Sequence, residues 1–462
     1  MGSLSISSSN EIFPSNESLP TFWRSELHPL DSHRSTEVIP KSCDVLILGA
    51  GYAGSSTAYH LLCNDDVPKM SPKPSVLLLE ARQACSGATA RNGGHLRPSI
   101  FGRLPRYLKE YGIDTVLELV DFESDQVEAI AALVEKEKID CDFTRTKSVN
   151  AYVTADDAMM AKKAYLKLKN AGLSKAVIQN IMWFDGDEAE KISGVKGAIG
   201  CLQFKAAQLW PYKLVMALLQ RAVDSGLNLQ THTLATCIVA SPTDPGKWIV
   251  NTSRGPVTAS KVIFATNAFT AGLLPEYHTK IVPAKGICCR IVYSPDTPHL
   301  PLENSHCIWL ENGSCDYLLA RSDNSIIVGG ARCDFFSNMS NWYNRTDDDT
   351  LIESARFYFN RYMQKYFVGW EKSDAHVDNI WTGIMGYNSD SLPNIGAVPD
   401  RPGCFIQAGF QGNGMPQIFL VSKALVEMVV TGKSYEEVRI PSLYRTSKER
   451  LQSSTDHLLG LP

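Results

Sequence analysis

Nothing in this 462-residue chain approaches the roughly 20 consecutive apolar residues of a membrane-spanning helix. Twelve cysteines are scattered along it, and one adjacent pair occurs, Cys288-Cys289. No Cys-x-x-Cys is present, so neither a zinc site nor a redox dithiol is written in the sequence. An excess of one charge is lacking too: a net charge of −4 offers no electrostatic argument for nucleic acid or an anionic membrane. There is no internal repeat and no heptad array. The Ser-rich start, Met1 to Asn16, has neither the basic opening nor the apolar core of a secretory leader, and the chain does not end in Ser-Lys-Leu. The expectation is a cytoplasmic protein with reduced thiols, monomeric or a small homo-oligomer, with the peroxisome left open.

What is present suits a globular α/β protein of two or three domains. Residues 1–40 read as an irregular arm. Cys43 to Leu48 is an apolar run of strand length, as expected of a parallel strand buried on both faces. A glycine-rich turn follows, then a helix over Ser55 to Cys63, then a second buried strand, Val76 to Leu79. Further along, Leu104 to Lys138, Ala155 to Ala171, Leu209 to Gly226 and Gln417 to Thr431 pattern as helices. Phe143 to Val153, Trp248 to Val250, Lys261 to Ala265 and Cys404 to Ala408 pattern as strands. Asp316 to Leu319 and Ser325 to Val328 are spaced to pair as antiparallel strands. This order suggests a Rossmann-like domain (41–138, 208–283 and 375–462) with a parallel sheet. A domain with a mixed or antiparallel sheet (139–207 and 284–374) interrupts it.

Gly49-Ala50-Gly51-Tyr52-Ala53-Gly54 is a G-x-G-x-x-G turn between the first strand and first helix. Gly49 lets the chain leave the strand sharply, Gly51 lets backbone approach a pyrophosphate, and Gly54 lets helix and strand pack closely. The helix start that follows Ala53 and Gly54 offers free N–H groups and a positive dipole end to phosphate. Glu80 ends the next strand at the spacing of a carboxylate that binds ribose hydroxyls, with Ala81 and Arg82 beside it. The fingerprint does not choose between NAD and FAD. Two features favour FAD. The segment Arg82 to Arg97, with Ser86-Gly87-Ala88-Thr89-Ala90-Arg91-Asn92-Gly93-Gly94-His95 at its centre, is rich in small residues and donors, as needed beside a large flat ring and its phosphates. A late cluster, Gly409-Phe410-Gln411-Gly412-Asn413-Gly414-Met415, provides a second anchoring turn far along the chain.

These segments, with Lys261 to Ala268, Tyr317 to Arg332 and Trp381 to Met415, resemble the D-amino acid oxidase superfamily. The closest likeness is its γ-glutamylputrescine oxidoreductase-like branch. The resemblance implies an FAD domain, Thr266-Asn267 at a turn near the flavin, and a substrate domain whose mixed sheet roofs the ring. It implies oxidation of a C–N bond in an amine or amino acid to the imine, with oxygen as acceptor and peroxide as product. A dehydrogenase with another acceptor, an NAD(P) enzyme, and a biosynthetic flavoprotein that cyclises or aromatises a nitrogenous metabolite stay open.

Candidates for the substrate face are Tyr317, Arg321, Trp381, Met385 and Tyr387, since aromatic walls of this kind bind apolar or cationic amines. Relatives that hold a substrate carboxylate with arginine place it where Met385 stands here; Arg290, Arg321 and Arg332 are the possible substitutes. The flavin-linking cysteine and oxygen-activating lysine of monomeric sarcosine oxidase have no counterpart between Trp381 and Gly403 or in Ser325 to Val328. His95 stands open between a covalent link to the flavin and a hydrogen-bonding role. His60, in the first helix, is expected to be packed.

If Met385 lies in the pocket, Met385→Arg shifts preference toward amines carrying an adjacent carboxylate. The check is kcat/KM over matched amine and amino-acid pairs, and unchanged selectivity sinks the placement.

Overall fold

A computed structural model describes residues 12–173, 175–311 and 314–458. Part of the arm, residues 1–11, lies outside the described residues.

The first sheet runs in the order Asn394–Ala397, Cys404–Ala408, Val257–Phe264, Ser42–Leu48, Val76–Leu79, Asn228–Gln230. Five of these strands are parallel, and only Asn394–Ala397 is antiparallel to its neighbour. Ala235–Ala240 and Trp248–Thr252 extend it as an antiparallel flap. The central strands are apolar throughout because both faces are covered. Val76–Leu79 is buried at every position; helices Tyr52–Leu62 and Ile418–Thr431 pack on the sheet, and Pro211–Asp224 packs on Tyr52–Leu62. Register places Leu48 beside both Phe264 and Leu79. Three strand ends therefore finish together, and the turns at Gly49, Glu80 and Ala265 open along one edge. In open α/β sheets, that carboxyl edge is where ligands bind.

The second sheet takes His376–Asn388, Ile281–Val292, Ser325–Gly329, Cys315–Ala320, Asn304–Trp309, Thr144–Tyr152, Gly200–Gln208 and His95–Leu96 in that order. All its pairings are antiparallel except that between Asn304–Trp309 and Thr144–Tyr152. Sheet membership departs from the boundaries drawn from sequence. His376–Asn388 falls in the segment assigned to the Rossmann-like domain, yet it pairs along Ile281–Val292. His95–Leu96 likewise joins the second sheet through Gln208 and Ala207. Partner strands decide sheet membership, and one-dimensional pattern does not contain them.

Most expected elements are present within a few residues. The long helical stretch breaks at Tyr111 into Leu104–Glu110 and Gly112–Glu137, and a short helix, Lys448–Gln452, follows the one expected to be last. Among the described residues no helix is long and apolar enough to cross a membrane, and the twelve cysteines are unpaired.

One buried ionic cluster fastens arm, loop and second domain together. Arg82 donates to both Asp348 carboxylate oxygens at 2.7 and 2.9 Å, and Arg91 Nε lies 3.1 Å from the same group. Asp348 is 2% exposed, and Leu19 N–H donates to its carbonyl. Arg91 also donates to the carbonyls of Leu19, Ser86 and Thr382. Asp348→Ala strands two buried guanidiniums without a counter-charge, a loss of about 3–5 kcal/mol. Denaturant unfolding of the variant should show it as a fall in midpoint. A midpoint within error of the parent rules out the clamp.

Candidate active site

A cavity of about 650 Å³ runs from the edge of the first sheet to the face of the second. That is within the range of small-molecule sites.

The nucleotide end is shaped by glycine. Gly49 has φ +103°, and a Cβ there would meet Ala265 O at 2.8 Å; one on Gly54 would overlap Gly49 O. Only glycines let strand, turn and helix close at this distance. Glu80 accepts from Ala50 N–H at 2.8 Å and Arg82 N–H at 3.0 Å, so the carboxylate braces the turn while lining the cavity. Thr89 Oγ1 accepts from Tyr52 N–H at 3.1 Å, laying the second loop against the helix start. At the other end Asn267 Oδ1 accepts from Gly409 N–H at 2.9 Å and Phe410 N–H at 3.2 Å. The two late turns are thereby locked together.

The second sheet forms the roof, and its register decides which side chains face in. Cys307 pairs with Tyr317, Tyr317 with Gly329, Gly329 with Cys288, and Cys288 with Trp381. Paired residues share a face. Trp309, Cys315, Ala284, Gly286, Gly383, Met385 and Tyr387, at even offsets, share it too. Three glycines hollow this face. A Cβ on Gly329 would collide with the Tyr317 ring, one on Gly286 would meet Met385 Cε at 2.8 Å, and one on Gly383 would meet Arg91 Cβ at 2.9 Å.

The expected cofactor residues converge. Gly49, Gly51, Ala53, Glu80, Ala81 and Arg82 line the cavity, as do Ser86, Gly87, Ala88, Thr89, Arg91, Asn92, Gly93 and His95. So do Thr266, Asn267, Gly412, Asn413, Gly414 and Met415. Gly54, Gly94 and Gly409 sit behind the wall, where each permits a close approach: to Gly49, Trp23 and Asn388 respectively.

Of the substrate-face candidates, Tyr317, Met385 and Tyr387 line the cavity. Two corrections follow. Trp381 is on the roof face but fully buried under the 88–91 loop, with its indole N–H donating to Arg91 O at 3.0 Å. It is scaffold. Arg321 points away, stacked on Phe22, Trp23 and Trp210 and paired with Asp142 at 2.9 Å. Arg290 likewise pairs with Asp378 and Asp323. Arg332 alone of the three substitute arginines enters the cavity, where it donates to Tyr387 OH.

Its direction is set from behind the sheet. Asp316, on the opposite face, accepts from Ala331 N–H at 2.9 Å, Tyr358 OH at 2.6 Å and Tyr362 OH at 3.0 Å. It pins a turn in which Gly330 (φ +136°) and Ala331 (φ +59°) take left-handed conformations. Arg97, the last residue of the segment expected beside the ring, is in the wall; sequence reading did not find Arg103, Tyr107, Lys285, Cys288, Cys307, Trp309 or Cys315 there. The strand at Asn304–Trp309 was not recognised, and without a register no alternation pointed inward.

The family profile described as "FAD dependent oxidoreductase" matches residues 44–428. The fold and cavity thus belong to a flavin-dependent oxidoreductase, and the chain is a member of this FAD-dependent oxidoreductase family, with FAD as cofactor. The γ-glutamylputrescine oxidoreductase of Escherichia coli K12 is 22% identical over 84% of this chain and 84% of its own length. The crystal structure of glycine oxidase from Geobacillus kaustophilus superposes with a TM-score of 0.67 at 21% identity, covering 85% of this chain and 96% of that one. An L-amino acid deaminase from Proteus myxofaciens gives 0.66 at 15% identity, over 91% and 96%.

The cavity fits FAD: glycine-lined backbone approaches stand at the pyrophosphate end, and two interlocked turns at the other. His60 is packed, as expected, with Nε2 against Phe419 O at 2.9 Å. His95 Nε2 is bonded to Leu318 O at 3.1 Å, and burial pushes its pKa down to about 3, so the ring is neutral and tethered to the roof. Acid precipitation of the holoprotein should therefore release yellow FAD into the supernatant. Colour retained on the pellet and mapping to the His95 peptide overturns this.

Proposed function

We propose that the chain oxidises the C–N bond of a primary or secondary amine or amino-acid-like substrate to the imine, with oxygen as acceptor and hydrogen peroxide as product. When bound, FAD supplies the hydride acceptor at N5. The observation that carries the reading is Arg332: a guanidinium in the cavity wall, hydrogen-bonded to Tyr387, with no carboxylate partner among the described residues. A guanidinium set among Tyr387, Phe336 and Tyr317, without an ion pair among the described residues, is suited to an anionic group on the substrate, and guanidinium matches a carboxylate in both shape and charge.

The amine must shed its proton before its α-hydrogen leaves, because an ammonium has no lone pair to push. Desolvation by the roof and the like charge of Arg332 both favour the neutral amine. Burial pushes the Tyr317 phenol well up, so Tyr317 stays neutral. His95, held by Leu318 O, is not placed to act as a base. Orientation and exclusion of water are what these residues contribute.

Anaerobic titration with a panel of amines and amino acids tests the proposal. One of them should bleach the flavin band near ~450 nm, and air should restore it with release of peroxide. A band that no amine bleaches removes the amine assignment; bleaching that air does not reverse assigns another acceptor. Arg332→Ala should raise KM for a carboxylate-bearing substrate by roughly a hundredfold, with a smaller effect on substrates lacking the group.

A further inference from the structure

The roof carries a nucleophile that amine oxidation does not use. Register pairs Cys307 with Tyr317 and Trp309 with Cys315, which makes Cys307 and Cys315 diagonal neighbours on the cavity face. Their side chains meet there, with the two sulfurs close enough to share a hydrogen bond. Both line the cavity and both are partly accessible, whereas Cys288 and Cys289 are buried.

Arg97 donates one terminal nitrogen to Cys307 Sγ and the other to Asn150 Oδ1 at 2.5 Å. Its guanidinium stacks 5.2 Å over Phe204, and Asn150 is itself fixed by Phe101 O at 3.1 Å. Arg97 makes no ion pair among the described residues, and Cys307 Sγ is the acceptor its guanidinium meets beside Asn150. A hydrogen bond from the Cys315 thiol and the Arg97 charge hold the Cys307 thiol below its usual range against the opposing effect of burial. Cys288 on the same roof has no such cation, and burial pushes its thiol up to about 12. A thiolate held by a guanidinium, in a site that small molecules enter, is the setting of reactive cysteines.

We propose that Cys307 is a peroxide-reactive thiolate in the cavity wall and that Cys315 is its resolving thiol. Cys307 sulfur attacks one oxygen of hydrogen peroxide, the O–O bond breaks, and a sulfenic acid and hydroxide form. The Cys315 thiol then attacks that sulfur and the S–O bond breaks. A disulfide forms: the departing hydroxide takes the Cys315 thiol's proton, and the hydroxide of the first step takes the proton Cys307 gave up on becoming a thiolate, so two waters result. In sum, two thiols and one peroxide give one disulfide and two waters. The proposal rests on the oxidase reading for the source of peroxide, and it places a product-sensitive modification inside the cavity that generates that product. The disulfide would draw together the two strands that carry Tyr317 and Trp309.

Both cysteines fall in one tryptic peptide, Ile291 to Arg321, since no Lys or Arg lies between. Reduced holoenzyme is exposed to added hydrogen peroxide, quenched with an alkylating agent and digested. The peptide should appear two hydrogens lighter and unalkylated, and dithiothreitol should restore it. Cys315→Ser should leave Cys307 as a sulfenic acid trapped by a 1,3-dione; Cys307→Ser should leave Cys315 a thiol; Arg97→Met should slow oxidation by at least roughly tenfold. Cys237, which is exposed, is the internal reference. Cys307 staying reduced at a dose that oxidises Cys237 overturns the thiolate. Oxidation of Cys307 that never yields the disulfide overturns the role of Cys315. Because the peroxide is added, the result does not depend on whether the enzyme uses oxygen, and a failed amine assignment would leave it standing.

Discussion

Asp348 is the constraint on which the site depends. A single carboxylate, 2% exposed, pairs with both Arg82 and Arg91, and those two arginines bracket the loop between the first sheet and the roof. Arg91 reaches the arm through Leu19, its own loop through Ser86 and the roof through Thr382. Its backbone carbonyl also receives the indole of Trp381. Burying three charges is unfavourable unless each is paired and hydrogen-bonded, so the cluster tolerates one arrangement of arm, loop and roof. The cavity is the space left when that arrangement closes.

Within that frame the roof is built by subtraction. Gly286, Gly329 and Gly383 occupy positions on the inward face where any Cβ would strike Met385, Tyr317 or Arg91. Strand glycines weaken a sheet by themselves, and here they create room. What remains on that face is aromatic, sulfur-bearing or cationic. Tyr317 and Tyr387 line the cavity with two guanidiniums, Arg97 and Arg332, neither of which makes an ion pair among the described residues. Both are aimed by groups behind or beside them, Arg332 through Asp316 and its turn, Arg97 through Asn150. An anionic substrate group at Arg332 and a thiolate beside Arg97 would answer the same electrostatic situation, with Cys315 feeling both guanidiniums.

The nucleotide half was legible because its requirements are local. A buried strand, a tight glycine turn, a helix start and a carboxylate at the next strand end follow one another within a few dozen residues, and each leaves a residue-type signature. The reading at Gly49, Gly51, Glu80 and Asn267 therefore led to residues that line one cavity. The substrate half was not local. Trp381 and Met385 have the same parity on one strand, yet Trp381 is sealed by Arg91 while Met385 opens to the cavity. Arg321 opens the turn of one hairpin and Arg332 follows its second strand, yet the first stacks on Trp210 outside and the second enters. No periodicity separates such pairs, because the covering group comes from a distant part of the chain.

By itself the sequence determined the Rossmann-like unit, the FAD fingerprint and the family, all written in contiguous residues whose conformational demands only certain side chains meet. The tertiary structure decided which arginine faces the cavity, which aromatics are wall and which are scaffold, and that Cys307, Cys315 and Arg97 meet at all. Those are questions of strand register and of burial by remote segments. A change of one residue in register would turn every side chain of the roof to its other face.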